Sequence, residues 1–296
     1  MNRRLVVSLF GLPLLLLSAC AAPPQMPPAP APGTDARAPI VQQAEATPDP
    51  SPTPVPDLTL GYRRPVFPED APLPTLTGEQ QAAYGDCLTT TITSGSGGDC
   101  AALLQDKLTE LGYFTGKKTS RLGVAAVNAL LRYQRSRELP ATGNAAERTW
   151  YALASEQPAR SEELPAECTI PGVVLCVDQA HDTLRWIRDG EVVKTIKVRT
   201  GGFITEPKTG KWRVHATVNG FYRVYNKHRN PKSENYGAGA MPYAVMFDPN
   251  MYFHYSSDFA KRGYATSSHG CVNIGSKEEA KWVFDNTPID ARVLIY

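Results

Sequence analysis

Residues 173–196 read VVLCVDQAHDTLRWIRDGEVVKTI. Three short runs rich in β-branched and aromatic residues, 173–177, 183–187 and 192–196, have the length and composition of strands. Asp189-Gly190 lies between the last two and favours a tight hairpin turn. Similar runs at 210–218, 243–247 and 292–296 extend the pattern, and one capped helix is expected from Ser276 to Asn286. Residues 168–296 are therefore predicted to form a mostly β domain, sandwich-like or barrel-like.

The stretch before this domain, residues 77–158, has helical periodicity. Apolar residues recur at spacings of three and four from Cys100 to Leu111 and from Val124 to Tyr133, and a third short helix fits 148–153. Glycines and a proline separate these runs. We therefore expect a small all-α domain ahead of the β domain.

The segment 21–76 holds 16 of the 26 prolines of the chain. Such a segment buries too little apolar surface to offset the entropy of ordering it, so a disordered linker is predicted. Where polyproline helix persists, each residue spans about 3.1 Å. The linker can therefore place the folded domains far from the N-terminus.

Residues 1–20 are typical of a secretory signal. Arg3 and Arg4 precede an apolar run from Leu5 to Leu17, which is too short to cross a bilayer as a helix. Leu17-Ser18-Ala19-Cys20 resembles the bacterial lipobox, which implies a lipid-anchored protein whose mature chain begins at an acylated Cys20. Cleavage at a nearby site, or an uncleaved N-terminal anchor, is the alternative.

Charge and cysteine content restrict the function further. A net charge of +2 argues against nucleic-acid binding, which usually needs a strongly basic face. Outside the cytoplasm cysteines tend to pair, and five remain once Cys20 is acylated. If Cys271 stays free, the other four can form two local disulfides; they are Cys87, Cys100, Cys168 and Cys176. Four cysteines allow three pairings, and the sequence does not choose among them.

The free thiol falls in Ser268-His269-Gly270-Cys271-Val272-Asn273, downstream of His254. A cysteine nucleophile needs a base that takes its proton, and that base needs a third group to orient it. Gly270 allows backbone geometries that could turn N–H groups toward an oxyanion. The alternatives are a structural thiol or disulfide partner, or a zinc site made of Cys271 and the two histidines, for which the sequence shows no further ligand cluster. We expect no metal and no cofactor.

This pattern resembles the signature of the YkuD-type L,D-transpeptidases, in which a histidine precedes [Ser/Thr]-His-Gly-Cys-x-Asn. The resemblance implies that Cys271 forms an acyl-enzyme and that His254 is the general base, oriented by a backbone carbonyl of Tyr255 or Ser256. It implies that His269 shapes the site and that the N–H groups of Gly270 and Cys271 form the oxyanion hole. The remaining substrate-binding positions are expected to be Tyr243, which would line the acyl pocket, with Ser268, Asn273 and Tyr255.

A second resemblance covers Leu104 to Leu153, where Leu111-Gly112-Tyr113 and Thr149-Trp150 are similar to the peptidoglycan-binding domain of the PG-binding 1 type. Thr119-Ser120 replaces the Asp-Gly usual in that family. A helical spacer without a ligand is the alternative.

Together the resemblances imply an extracytoplasmic enzyme that forms 3→3 cross-links between peptidoglycan stem peptides through a thioester. They also imply peptidoglycan glycan and carbapenem β-lactams as partners. An L,D-carboxypeptidase or endopeptidase with the same residues, or a non-catalytic wall-anchoring lipoprotein, remain alternatives. Other histidines and tyrosines, including His215 and Tyr252, are expected to have packing or surface roles.

Overall fold

The computed structural model describes residues 71–233 and 237–296. The predicted signal segment, Cys20 and almost all of the predicted linker lie outside these residues. Within them, no helix combines the length and the apolar character needed to cross a membrane.

The helical region consists of four helices, namely α1 (Gly78–Tyr84), α2 (Asp99–Glu110), α3 (Val124–Ser136) and α4 (Glu147–Ala154). The structure confirms the three predicted helices to within a few residues. Helix α1 was not predicted because seven residues are too few to show a clear period. It is fixed locally, since the Thr77 hydroxyl accepts from the Gln80 N–H and the Gln80 side chain accepts from the Thr77 N–H.

A single apolar core joins these helices. Leu104, Leu108, Leu130 and Trp150 are fully buried in it. The Cys87–Cys100 disulfide connects the 3₁₀ turn Gly85–Thr89 to α2. A region of this size buries a limited core, and a covalent cross-link compensates in part.

The β region follows a 3₁₀ turn at Ala166–Cys168. Its first strands are β1 (Val173–Asp178), β2 (Thr183–Arg188), β3 (Glu191–Arg199), β4 (Phe203–Thr205), β5 (Trp212–Val214), β6 (Gly220–Arg223) and β7 (Asn226–His228). The later strands are β8 (Lys232–Ser233), β9 (Gly237–Ala238), β10 (Ala244–Asp248), β11 (Met251–Tyr255), β12 (Val272–Ile274) and β13 (Arg292–Ile295). Two helices, α5 (Ser257–Arg262) and α6 (Lys277–Asn286), and a 3₁₀ turn, Gly263–Ala265, interrupt them.

Nine strands form one large curled sheet in the order β6-β13-β1-β2-β3-β12-β11-β10-β7. The pairs β1–β13 and β11–β12 are parallel and the other neighbours are antiparallel. Two small hairpins, β4–β5 and β8–β9, stand apart from this sheet. A helical region followed by a mostly β domain is therefore confirmed as the fold class.

The predicted strands and turns agree with the structure in some places and differ in others. The turn at Asp189-Gly190 has φ values of 51° and 85°, as a hairpin turn with two left-handed residues requires. The run 210–218, predicted as one strand, contributes only the three residues of β5. The three-residue strand β12 was missed because it is too short to alternate visibly, although all of it is buried.

The core of the β region lies under α6. Trp186, Phe253 and Val283 are among its buried residues. Helix α6 begins as predicted, with the Ser276 hydroxyl accepting from the Glu279 N–H at 3.2 Å. The Cys168–Cys176 disulfide anchors the 3₁₀ turn before β1 to the sheet.

Candidate functional site

The candidate site is built on β11 and β12, two adjacent parallel strands. Their register pairs His254 with Asn273. Cys271 comes two residues before Asn273, the spacing that places side chains on one face of an extended chain. The sheet therefore brings together three residues that the sequence separates by up to 19 positions.

His254 is buried, with 7% of its surface exposed. Its Nδ1 lies 2.8 Å from the carbonyl oxygen of Tyr255, so this nitrogen carries the proton and donates it. Nε2 is then the basic nitrogen, and the Asn273 amide lies 3.0 Å from it. Burial lowers the pKa of His254 to about 4, with a further lowering by the Arg199 charge, so the ring is neutral at pH 7.

The orientation of the Asn273 amide is set by Arg199, its cross-strand partner on β3. The Arg199 guanidinium donates to Asn273 Oδ1 at 2.9 Å, which leaves Nδ2 facing the histidine. Arg199 is itself held by Asp258 at 3.0 Å and by the Thr266 hydroxyl at 2.6 Å. Arg199 could not be identified from the sequence, since nothing in its local sequence separates it from other strand arginines.

Cys271 is the one free cysteine of the described residues. Its Sγ lies 3.9 Å from the Asn250 carbonyl oxygen. Burial raises the pKa of the Cys271 thiol to about 11, and a hydrogen bond from the Tyr252 backbone opposes that rise. The thiol and the imidazole are therefore both neutral at rest.

The loop that carries the thiol is braced at both ends. The Ser268 hydroxyl donates to the Cys271 carbonyl oxygen at 2.5 Å and accepts from the Gly270 N–H at 3.1 Å. The buried Thr217 hydroxyl donates to the Gly270 carbonyl oxygen at 2.7 Å. Thr217 is a further site residue that the sequence did not reveal.

Gly270 has a φ of +116°, and a Cβ there would meet the Ala216 carbonyl oxygen at 3.1 Å. Glycine is therefore required for this backbone. The Gly270 N–H was predicted from the sequence to form part of the oxyanion hole, and the structure differs on this point. This N–H donates to Ser268 instead, since the left-handed turn folds the amide back onto that hydroxyl.

His269 faces a different group from His254. Its Nε2 donates to the Thr205 carbonyl oxygen at 2.6 Å, at the end of β4. Its ring stands edge-on against that of His215 with 4.9 Å between the ring centroids. His269 thus connects the thiol loop to the β4–β5 hairpin.

An open cleft of about 660 Å³ lies in front of the thiol. Its lining includes basic side chains, Lys208, Arg213 and Lys232, together with His215 and His269. Glu206 is the one acidic side chain among the described lining residues, and Arg213 binds it at 2.5 Å. The cleft is therefore positively charged.

Three sequence expectations about the cleft differ from the structure. His215 and Tyr252, expected to have packing or surface roles, both line it. Tyr243 was expected to line it but packs against Phe284, with 6.0 Å between the ring centroids, because its left-handed backbone, with a φ of 58°, turns the ring toward α6. Tyr255 contributes its carbonyl to His254, while its side chain packs on the β core.

Across residues 71–233 and 237–296, no three histidine, cysteine, aspartate or glutamate side chains are placed to hold a metal ion.

Residues 172–295 match the family model of the L,D-transpeptidase catalytic domain, YkuD, and residues 98–153 match that of a putative peptidoglycan binding domain, PG-binding 1. The chain thus has a PG-binding-like helical region followed by a YkuD domain. No curated protein sequence matches the chain.

Solved structures of L,D-transpeptidases resemble it. One from Xylanimonas cellulosilytica is 27% identical, with 69% of this chain and 96% of that chain covered and a TM-score of 0.37. One from Stackebrandtia nassauensis is 22% identical, covering 70% and 97%, with a TM-score of 0.36. L,D-transpeptidase 3 from Mycobacterium tuberculosis, in complex with a faropenem-derived adduct, is 20% identical, covering 42% and 60%, with a TM-score of 0.32.

Proposed function

We propose that this protein is a cysteine-dependent L,D-transpeptidase that cross-links peptidoglycan stem peptides. The observation that carries the proposal is the free thiol of Cys271 on a braced loop, next to the strand pair that holds a buried, neutral His254, at an open cleft. The match of residues 172–295 to the YkuD catalytic domain supports it.

In the first step, Cys271 Sγ attacks the carbonyl carbon of the amide that follows the third residue of a donor stem. His254 Nε2 accepts the thiol proton and returns it to the departing amine of the terminal D-residue. The carbon–nitrogen bond breaks and a thioester remains on Cys271. In the second step, a side-chain amine of an acceptor stem attacks the thioester, forms a 3→3 amide and restores the thiol.

The neutral resting pair is compatible with this chemistry. A thiol with a pKa near 11 and an imidazole with a pKa near 4 do not form an ion pair spontaneously, so proton transfer accompanies attack. Hydrogen bonds of unliganded sites commonly tighten only when substrate binds. The Cys271 N–H remains the loop donor proposed for the oxyanion, now that Gly270 binds Ser268.

The charge of the cleft suits the proposed substrate. Stem peptides carry free carboxylates, and Lys208 and Lys232 supply cations at the cleft without a paired acid among the lining residues named above. Clefts of one sign raise the local concentration of oppositely charged ligands. The positive charge of the cleft therefore favours binding of a donor peptide that carries carboxylates over binding of an uncharged donor.

The cellular setting is part of the proposal. A PG-binding 1 match at 98–153 supports a location at the cell wall. We propose that an acylated Cys20 anchors it to a bacterial membrane and that the proline-rich segment spans the distance to the wall. Carbapenems, as acylating mimics of the donor, are the proposed inhibitors.

The test is intact-mass spectrometry of the purified protein with a carbapenem and, separately, with tetrapeptide stems. We expect one covalent adduct on the wild type and none on Cys271→Ala. With stems, cross-linked dimers should accumulate. Loss of the terminal residue without dimers would identify a hydrolase instead, and no adduct at all would reject the thiol assignment.

A matched pair of histidine variants tests the base. His254→Gln should slow adduct formation about 100-fold or more, the contribution of a general base. His228→Gln, at the exposed strand β7 and outside the cleft lining, should acylate at the wild-type rate. Equal rates for the two variants would show that His254 is not the base.

A further inference from the structure

The β4–β5 hairpin has two contact faces. Toward the cleft it presents Arg213 and His215, and its Thr205 carbonyl binds His269. Toward the helical region, Phe203 and Val214 pack against the apolar core that contains α3. The hairpin therefore contacts both the nucleophile loop and the helical region.

Asn128 of α3 forms the polar centre of this contact. Its Oδ1 accepts from the Phe203 N–H at 2.8 Å, and its Nδ2 donates to the Phe203 carbonyl oxygen at 3.0 Å. Asn128 is only 4% exposed, so both hydrogen bonds are largely sheltered from water. A side chain that satisfies both backbone groups of one residue fixes that residue in position and in orientation.

The backbone at Gly202, directly before the hairpin, is tightly packed. A Cβ at Gly202 would lie 2.5 Å from Ser267 Oγ and 2.7 Å from Asn128 Oδ1. The start of the hairpin is thus held between α3 on one side and the segment leading into the nucleophile loop on the other. Movement of α3 cannot leave this backbone unchanged, because closely packed groups transmit displacement.

Arg135, two turns along α3, extends the contact. It donates to the Thr200 hydroxyl at 3.1 Å and to the Gly201 carbonyl oxygen at 2.6 Å. Gly201 forms a parallel bridge with Ser268, the hydroxyl donor that braces Cys271. The path from α3 to the thiol therefore runs through consecutive hydrogen bonds and one β-bridge.

We infer that α3 is a structural part of the active site, with Asn128 as a positioning residue that holds the β4–β5 hairpin and, through it, the His269-Gly270-Cys271 loop. The expected effect of this contact on acylation rests on the proposed function. We therefore predict that the YkuD region is not an independent module and that loss of the α3 contact impairs acylation before it unfolds the protein.

Gln105 provides a matched control within the same helical region. Its buried side-chain amide also brackets one residue, accepting from the Thr119 N–H at 3.0 Å and donating to the Thr119 carbonyl oxygen at 2.7 Å. Both partners of this bracket lie inside the helical region. Asn128→Ala and Gln105→Ala each remove one such bracket, the second together with a bond to the Ala101 carbonyl oxygen, and only the first affects the hairpin.

Acylation by a carbapenem and thermal unfolding of the full chain are measured for both variants, at a temperature where each is folded. We expect Asn128→Ala to acylate about tenfold to a hundredfold more slowly, the scale of a misplacement near 1 Å. Gln105→Ala should acylate at the wild-type rate despite a comparable loss of melting temperature. Equal rates for Asn128→Ala and wild type, or equal slowing of both variants, would overturn the inference.

Amide hydrogen exchange gives a readout that does not depend on catalysis. The His215 N–H donates to the Gly202 carbonyl oxygen at 2.8 Å, so its exchange reports the integrity of the hairpin. Asn128→Ala should accelerate exchange over 203–215 and 268–271, whereas Gln105→Ala should do so only near 105–122. If the wild type is not acylated, the proposed function fails, but the exchange comparison still tests the positioning role of Asn128. Unchanged exchange at 203–215 in Asn128→Ala would reject that role.

Discussion

The Asn273 side-chain amide donates to His254 Nε2 at 3.0 Å, and this is the nitrogen that must accept the Cys271 proton in the proposed reaction. Because Arg199 holds Asn273 Oδ1 and the Tyr255 carbonyl holds Nδ1, the amide and the imidazole are each fixed in one orientation. Burial keeps the imidazole neutral, and the network holds Nε2 against the Asn273 amide. In the proposed reaction this hydrogen bond must break before Nε2 can accept the thiol proton.

Asn273→Asp should strongly slow acylation with little change in side-chain volume. A carboxylate in place of the amide accepts a hydrogen bond, so it would place a proton on Nε2 and remove the base. We expect carbapenem acylation to fall about 100-fold or more. The matched control is Asn286→Asp, at an exposed asparagine of α6 that donates to the Trp282 carbonyl oxygen. Acylation of Asn273→Asp within a few-fold of wild type would contradict the proposed role of Nε2.

The pH profile of acylation should be broad. His254, with a pKa of about 4, is protonated only in acid, and Cys271, with a pKa of about 11, ionises only in strong alkali. The second-order acylation rate should therefore be flat around neutrality and fall on the acid side near pH 4. The measurement is carbapenem acylation across this range with the folded fraction monitored. A midpoint at the ordinary histidine value of about 6.5 would show that the ring is not desolvated in solution.

Stability should also fall in acid because of His254. Its pKa is lowered in the folded protein, so the unfolded chain takes up the proton first as the pH decreases. The stability difference is fully present above about pH 6.5 and is lost progressively down to about pH 4, with a magnitude of about 3 kcal/mol. Urea unfolding of wild type and His254→Gln at several pH values isolates this contribution. Parallel curves for the two proteins would mean that His254 does not titrate as described.

Gly270→Ala should disrupt the nucleophile loop. A φ of +116° is unfavourable for alanine, and its Cβ would press on the Ala216 carbonyl oxygen. We expect a stability loss of about 1–3 kcal/mol and a much larger proportional loss of acylation, because the strain falls next to the thiol. Gly78→Ala is the control, since a Cβ there meets nothing within 4 Å. The two rates and the two unfolding free energies are compared, and wild-type acylation by Gly270→Ala would count against a strained loop.

Removal of the Cys87–Cys100 disulfide should destabilise the helical region. Its sequence separation is 13 residues, and a loop near this size corresponds to about 3 kcal/mol. Cys87→Ser with Cys100→Ser should therefore lower the urea midpoint clearly. The shorter Cys168–Cys176 loop, with a separation of 8, should cost less when removed in the same way. An unchanged midpoint in the first double variant would show that the folded helices do not depend on this cross-link.

Sequence patterns predicted the features that depend on neighbouring residues. Helices α2 to α4, the strands β1 to β3, the Asp189-Gly190 turn and the Ser276 cap all follow from local periodicity or local hydrogen bonding. The strands β11 and β12 could not be recognised in this way. They are short, and their stability comes from neighbours in the sheet rather than from their own pattern.

Some residues of the candidate site could likewise be identified from the sequence and others could not. Cys271 and His254 were identified from residue type, spacing and a surplus thiol. Arg199, Thr217 and Asn128 were not, because each acts through a partner more than fifty residues away. Tyr243 was assigned to the cleft through the family resemblance, whereas its backbone is left-handed and its ring packs against Phe284.

By itself the sequence determined the fold class, the chemistry of the candidate nucleophile and the surplus of one thiol over the cysteines that can pair, since these depend on residue types and on local order. Only the tertiary structure decided which groups occupy both nitrogens of His254, how the cleft is charged and which helix braces its wall. The physical reason is that burial and hydrogen-bond geometry arise when distant strands and helices come into register, and no local pattern encodes that register.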